Sequence, residues 1–369
     1  MPQAPITLGV EEEFQIIDPA TRQLRSRAGR VVQLAQRAVG DEATNELYQS
    51  QVEVGTPVCA TLGEARAELK RLRKAVIAAA ERDGDRIAAA GTHPFSRWED
   101  QDPTPKPRYD QIIDVYQQHA REEVIFGCHV HAGIDDREAA IGVMNRARRW
   151  LPAILALSAN SPFWLGRDTG FASYRVGIFG RFPTAGVPVR LADRAEYERV
   201  VADLVATGLI EDPSKIYWDI RPSMHFETIE FRIADVAQTL DEAVLIAGLC
   251  RGLATTCLAA EEAGAPPDAE RPEILQAAKW LASRHGLEGT LFDFDRRAAV
   301  PARDVIEAFL AFLRPALEEL GDWDEVHALA AEVLDRGNGA RRQRAAYARA
   351  GRFEDVVDAV VAEASRGLD

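Results

Sequence analysis

Two periods organise the order of apolar and polar residues. A period of two recurs in five short stretches of the first 235 residues. In residues 9–16, Val10, Phe14 and Ile16 alternate with Glu11, Glu13 and Gln15, and Glu12 is the one misfit. Gln49, Gln51 and Glu53 alternate with Val52 and Val54, and His129 and His131 with Cys128, Val130 and Ala132. Asp219 and Arg221 alternate with Trp218 and Ile220, and Glu230 and Arg232 with Ile229, Phe231 and Ile233. Side chains two apart on a strand share a face. Each stretch therefore predicts a strand with one polar and one apolar face.

A period near 3.6 governs residues 62–82, where Leu69, Leu72, Val76 and Ala79 recur, and residues 137–158. It returns from Thr239 to the end, broken at 264–267 and 286–301. The first 60 residues otherwise read as strands and turns, and a short strand is expected at 87–90. Residues 160–188 read as a long Gly/Pro-rich loop, of the kind that is usually functional. Strands scattered between helices predict an α+β fold: one catalytic domain over residues 1–369, sheet-rich to 235 and mostly helical from 236.

If the five strands share a sheet, one face gathers Glu11, Glu13, Glu53, His129 and Glu230 with Arg221 and Arg232. The ordinary alternative is a solvated sheet face. Against it, these positions hold acids, His and Arg but no Lys. Carboxylates crowded on one surface repel unless a cation neutralises them. Oxygen ligands with an imidazole suit Mg²⁺ or Mn²⁺ better than structural zinc. Arginine is the preferred bidentate partner of phosphate and carboxylate. No phosphate-binding GxxxxGK[ST] loop and no protein-kinase signature is present, so any nucleotide must sit on the sheet.

The remaining composition narrows the partners. With 47% hydrophobic residues the chain can bury a sizeable core, which excludes a disordered or fibrous protein. A net charge of −14 argues against nucleic acid, which needs a basic surface. Four cysteines without metal or redox spacing predict reduced thiols and a cytoplasmic protein. Residues 1–7 lack a signal-peptide pattern, and the best apolar run, 151–157, is too short for a membrane span.

Several segments in one order resemble a known family. They are residues 7–14 (TLGVEEEF), 91–95 (GTHPF), 127–131 (GCHVH), 168–175 (DTGFASYR), 218–223 (WDIRPS) and 228–235 (TIEFRIAD), with a looser match at 337–344. The pattern is similar to the bacterial carboxylate–amine ligases, often labelled glutamate–cysteine ligase type 2. The resemblance implies the glutamine synthetase and glutamate–cysteine ligase fold, a curved antiparallel sheet forming a funnel. ATP would enter one end and an amino acid the other. Glu11, Glu13, Glu53, His129 and Glu230 would hold Mg²⁺ or Mn²⁺. Arg221 and Arg232 would act on the transferring phosphate, with Glu53 beside them. His131 is placed with the nucleotide, although a supporting role is as compatible as contact. Arg175 would meet a substrate carboxylate, and His93 and His225 join it as substrate-binding candidates. A turn role is the ordinary alternative for both histidines.

The expected function is an ATP- and Mg²⁺-dependent ligase that joins a carboxylate to an amine through an acyl phosphate. Glutamate and cysteine enter by resemblance. A homodimer is compatible with the resemblance. Two rivals are a metal-dependent amidohydrolase and a silent binding protein. The arginine pair argues against the first, and the intact acids and histidine against the second.

Overall fold

The computed structural model describes residues 5–267 and 269–368. In chain order the first half runs β1 (Leu8–Ile17), α1 (Ala28–Val39), β2 (Ala43–Asn45), β3 (Gln51–Gly55), α2 (Leu62–Arg82) and β4 (Arg86–Ala88). It continues with α3 (Pro107–Tyr116), α4 (Gln118–Arg121), β5 (Gly127–Gly133), α5 (Arg137–Ala147) and α6 (Leu151–Ser158). Then come β6 (Phe163–Trp164), β7 (Arg167–Asp168), α7 (Arg175–Phe179), α8 (Arg194–Ala206), β8 (Ile220–Pro222) and β9 (Thr228–Asp235). The remainder is α9 (Leu240–Glu262), α10 (Pro272–His285), the hairpin β10 (Thr290–Asp293) and β11 (Ala298–Pro301), and helices α11 (Ala302–Leu320), α12 (Trp323–Arg336), α13 (Gly339–Ala350) and α14 (Phe353–Ala364).

The central sheet has seven strands. Six follow the order β2-β3-β1-β5-β9-β8, and β4 pairs with the far end of β1. All its pairings are antiparallel. Register sets the polar row: Glu13 lies opposite Glu53, Glu11 opposite His129, and Glu230 opposite both His131 and Arg221. The register shifts by one residue between β5 and β9, so β9 bulges beside His129.

Behind the sheet, α5, α6 and α9 pack on Val10, Cys128, Val130 and Phe231, and α11 packs on α9. Helices α1, α2 and α14 pack on Phe14, Ile16, Val52 and Val54. Glu12 joins this apolar face fully buried, because Arg73 of α2 meets it there: Nε donates to Oε2 at 2.8 Å and Nη2 to Oε1 at 2.5 Å. The misfit in the alternation is thus one half of a buried ion pair.

Helices α2 and α9 begin where side-chain caps appear. Thr61 Oγ1 accepts from the Glu64 amide, and Thr239 and Glu242 cap each other reciprocally. Residues 137–158 divide into α5, a 3₁₀ turn and α6, with Pro152 in the first turn of α6, where its missing N–H costs nothing.

Several expectations need correction. Residues 28–39 are a helix, not strands and turns. Val31, Val32, Leu34, Ala35 and Val39 are buried at helical spacing, but no side chain caps the start to mark it. Residues 160–188 are no free loop: much of the segment is buried, with a two-stranded ribbon and α7 within it. The longest apolar run is not 151–157. Helix α9 is long and apolar enough to cross a bilayer, yet 78% of that window is buried in the protein, as in a core helix. Asp219 does not share the polar face of Arg221. It is buried against Lys279, whose Nζ donates to both carboxylate oxygens at 2.7 Å.

Candidate active site

The open face of the sheet lines a cleft of about 420 Å³. Glu11, Glu13, Glu53, His129, His131, Glu230, Arg221, Arg232, Arg175 and His225 all border it. The acids, histidines and arginines picked out by alternation are therefore brought together, Asp219 excepted, while Gln15 and Gln49 lie outside the cleft.

At its centre Glu11 bridges the two histidines. His129 Nδ1 lies 3.2 Å from Glu11 Oε2, and His131 Nε2 lies 3.4 Å from Oε1. A carboxylate only accepts, so His129 donates from Nδ1 and its Nε2 lone pair stays free. His131 is oriented through Nδ1, 2.9 Å from Thr228 Oγ1. The His129 Nε2 atom is buried without a hydrogen-bond partner. Glu11, His131 and Glu230 offer ligand atoms that lie within 4.8 Å of one another. Hard oxygens beside an imidazole held by its other nitrogen fit Mg²⁺ or Mn²⁺.

Glu230 is itself clamped. Arg221 Nε donates to Oε2 at 2.8 Å, and Arg232 Nη1 donates to Oε1. Burial alone would raise its pKa, but Arg232 and Arg221 override it and hold the carboxyl well below the usual range. Arg221 is anchored further by the carbonyls of Ser214, at 2.9 Å, and Ile216, at 2.5 Å. Arg232 keeps a buried, unpartnered Nε. Glu11 is likewise lowered: burial opposes ionisation, and the hydrogen bonds from His129 and His131 outweigh it. Burial, reinforced by Arg232, pushes the His129 pKa down, so its ring is neutral and able to ligate.

Glu53, Glu46 and Glu123 behave in the opposite way. Burial raises Glu53 well above the carboxylate range, with Glu46, Glu11 and Glu13 adding to the effect. Glu46 is pushed up to about 7 by burial and by Glu13. Glu123 reaches about 8 through burial, despite the opposing pull of Arg175. More negative charge faces this cleft than its own cations neutralise. Self-repelling carboxylates of this kind are the electrostatic signature of a cation site.

Arg175, the first residue of α7, is buried and lies flat over β5. A Cβ built on Gly127 would stand 2.3 Å from its Nη2. Its guanidinium and that of Arg232 share the Phe179 ring, at 5.6 and 5.8 Å from the centroid. The loop that carries it is fixed from below: the Arg175 amide donates to Ser161 Oγ at 3.1 Å, and the Ser161 and Ser173 hydroxyls donate to buried Asp235 at 2.7 and 2.8 Å. Residues 337–344 brace the same loop. Gln343 Nε2 donates to the Asn160 carbonyl at 2.9 Å, and Arg344 forks onto Asp168 at 2.7 and 2.8 Å.

The profile of glutamate–cysteine ligase family 2 matches residues 7–359 of this chain. The chain belongs to that family. A protein of Roseiflexus castenholzii, provisionally named glutamate–cysteine ligase 2, is 42% identical over 367 residues, spanning 100% of this chain and 97% of the relative. A Frankia alni protein, provisionally glutamate–cysteine ligase 2-2, is 43% identical over 371 residues, spanning 97% and 96%. Among solved structures, the fold is similar to glutamate–cysteine ligase of Francisella tularensis in complex with AMP, with a TM-score of 0.71 at 14% identity over 100% of this chain and 90% of that one. It is also similar to a bifunctional glutathione synthetase of Pasteurella multocida, with a TM-score of 0.74 at 16% identity over 98% and 53%. Family membership makes this chain an ATP-dependent ligase of the glutamate–cysteine ligase kind.

Within that family frame, one candidate residue falls outside the cleft. His93 is buried in a turn, where Nδ1 accepts from the amides of Phe95 and Ser96 and Nε2 donates to the Arg22 carbonyl at 2.9 Å. Burial lowers its pKa to about 3. Both ring nitrogens are committed, so it has none for a substrate. His225 sits exposed at the cleft rim on the β8–β9 turn. The strand alternation missed Glu46, Arg108, Tyr109, Glu123 and Tyr217, which also border the cleft. None of them lies on a sheet strand, so a period of two carried no signal for them. A second cavity of about 410 Å³ adjoins the first, sharing Glu11, Glu53, His131 and Phe226 and adding Val10, Val58 and Thr228.

Proposed function

We propose that this ligase activates a substrate carboxylate as an acyl phosphate and then passes the acyl group to an amine, with glutamate and cysteine as the substrates. The observation that carries this reading is the row Glu11–His131–Glu230 placed in contact with Arg232 and Arg221 between two cavities. A carboxylate oxygen attacks the γ-phosphorus of ATP and ADP departs. The amine nitrogen then attacks the acyl carbon, phosphate leaves, and the nitrogen loses a proton. Arg232, with its unpartnered Nε, donates to the transferring phosphoryl oxygens, while Arg221 holds Glu230 in place. Arg175 receives a substrate carboxylate. Glu11, His129, His131 and Glu230 would hold Mg²⁺ or Mn²⁺, with Glu13 and Glu53 alongside. The ion would screen the phosphate charge.

The second cavity is our candidate for the adenine, since Val58 and Phe226 offer it exposed apolar walls. The AMP complex of the Francisella neighbour supports an adenine nucleotide on this fold. The same reading has the sheet act as a funnel, nucleotide at one end and amino acid at the other. Four buried cysteines, none in a disulfide among the described residues, support a reducing, cytoplasmic setting.

The test is ADP release with Mg²⁺, glutamate and cysteine, together with transfer of carboxylate oxygen-18 into the released phosphate. Label in phosphate supports the acyl phosphate, and unlabelled phosphate rejects it. A hydrolase built on the same acids would release no ADP.

A further inference from the structure

Six carboxylates border the cleft, and five of them have a partner. Glu11 meets the histidines, Glu230 the arginines, Glu13 the Gly127 amide, Glu46 the Leu47 amide and Glu53 the Thr44 hydroxyl. Glu123 is the exception. It is 8% exposed, its Oε2 is buried without a hydrogen-bond partner, and it makes no ion pair among the described residues. Arg175, which lines the same cleft, is the cation that acts most strongly on it. It is 2% exposed, its Nε is likewise unpartnered, and no carboxylate pairs with it among the described residues.

Opposite charges buried in one cleft gain most by pairing. Here the fold leaves them without an ion pair to each other. Arg175 is held against Gly127 by its braced loop, and Glu123 sits in a backbone turn where its amide donates to the Ala120 carbonyl at 3.1 Å. A buried guanidinium, and a buried carboxyl that ionises once a cation faces it, are together complementary to one ligand that carries both signs, an α-amino-acid zwitterion whose ammonium supplies that cation.

We propose that Glu123 is the acceptor for the substrate's α-ammonium group and so determines specificity, with the α-carboxylate on Arg175. An α-amino acid held by its head presents its distal carboxylate to the Glu11–His131–Glu230 row. That arrangement makes the side-chain carboxylate, and not the α-carboxylate, the one activated. The inference rests on the ligase reading above and names the group that selects its carboxylate substrate.

The test compares glutamate with glutarate, the same diacid without the amine, in Mg²⁺- and cysteine-dependent ADP release. The wild-type protein is expected to prefer glutamate. In E123Q, KM for glutamate rises on the order of 100-fold, as for loss of one partner of a buried charged pair, while kcat changes little. Its kcat/KM for glutarate stays at the wild-type level, so the preference collapses. E123D, which keeps the charge, retains most of the preference. An undiminished preference in E123Q overturns the inference. So does an equal loss of glutarate turnover, which would place the residue in the fold or the chemistry. Absence of ADP release from the wild-type protein would instead reject the ligase reading. Calorimetric binding of glutamate without ATP then decides the clamp alone: binding lost in E123Q supports it, and equal binding, or none to either protein, overturns it.

Discussion

The two faces of β1 each hold acids among arginines, and they treat them differently. On the helix-packed face Glu12 and Arg73 close on each other bidentately, and Arg73 Nη2 also reaches the Ala237 carbonyl at 2.9 Å. One nitrogen there, Arg73 Nη1, lacks a partner. On the cleft face, one residue to either side, Glu11 and Glu13 join a surface with too many acids. That surface leaves His129 Nε2, Arg175 Nε, Arg232 Nε and Glu123 Oε2 unpartnered. A buried ion pair that satisfies itself serves the fold. A buried charged surface that does not is complementary to something else.

The largest effect is expected from breaking the closed pair. Arg73→Ala strands a buried Glu12 carboxylate and should cost about 3–5 kcal/mol in denaturant unfolding. Replacing both, Glu12→Leu with Arg73→Met, should restore most of that stability, because the pair's desolvation is relieved along with its attraction. If the double variant is as unstable as the single, the face is not the self-contained core described here.

On the open face the effects move from stability to chemistry. Arg232→Lys keeps the charge but loses the guanidinium fork. Steady-state kinetics should show turnover lower by about 100-fold or more, with ATP binding changed far less. A smaller effect is expected at Gly127. A Cβ there collides with the Arg175 guanidinium, so Gly127→Ala should raise KM for the carboxylate substrate about tenfold, roughly the weight of one charge-assisted hydrogen bond. Unchanged KM would show that Arg175 does not hold substrate.

The smallest effect is a pH dependence confined to the open face. Glu46, Glu53 and Glu123 have folded-state pKa values above their unfolded ones, with Glu46 at about 7 and Glu123 at about 8. The folded state then binds more protons, so their contribution is present below the unfolded carboxylate pKa and is lost as pH rises toward 8. Melting of the protein in chelator should decline across that window, and Glu46→Gln should flatten the decline.

Much of this division was legible before folding. Period-two alternation separates the polar row from the packed face in all five strands, and only Glu12 and Asp219 break it. Both are acids drawn to the packed side by a distant cation, Arg73 or Lys279, and no local period carries such a partner. Glu46, Glu123 and Arg108 were not legible because their placement comes from turns and a helix folded over the sheet. The brace between residues 337–344 and the loop carrying Arg175 spans nearly half the chain, so its role emerges only when Arg344 meets Asp168. His93 was misplaced for a similar reason, since a carbonyl 71 residues away takes its Nε2.

The central claim is that a divalent cation completes the open face. Mn²⁺ binding followed by electron paramagnetic resonance, in wild-type protein and in Glu11→Gln, tests it most directly. Glu11 touches both histidines and lies within 4.8 Å of Glu230 by its ligand atoms. Its neutralisation should weaken Mn²⁺ affinity by at least about tenfold while the chelated protein stays folded by circular dichroism, so that the loss reports on ligation. Equal Mn²⁺ affinity in the two proteins would contradict the account.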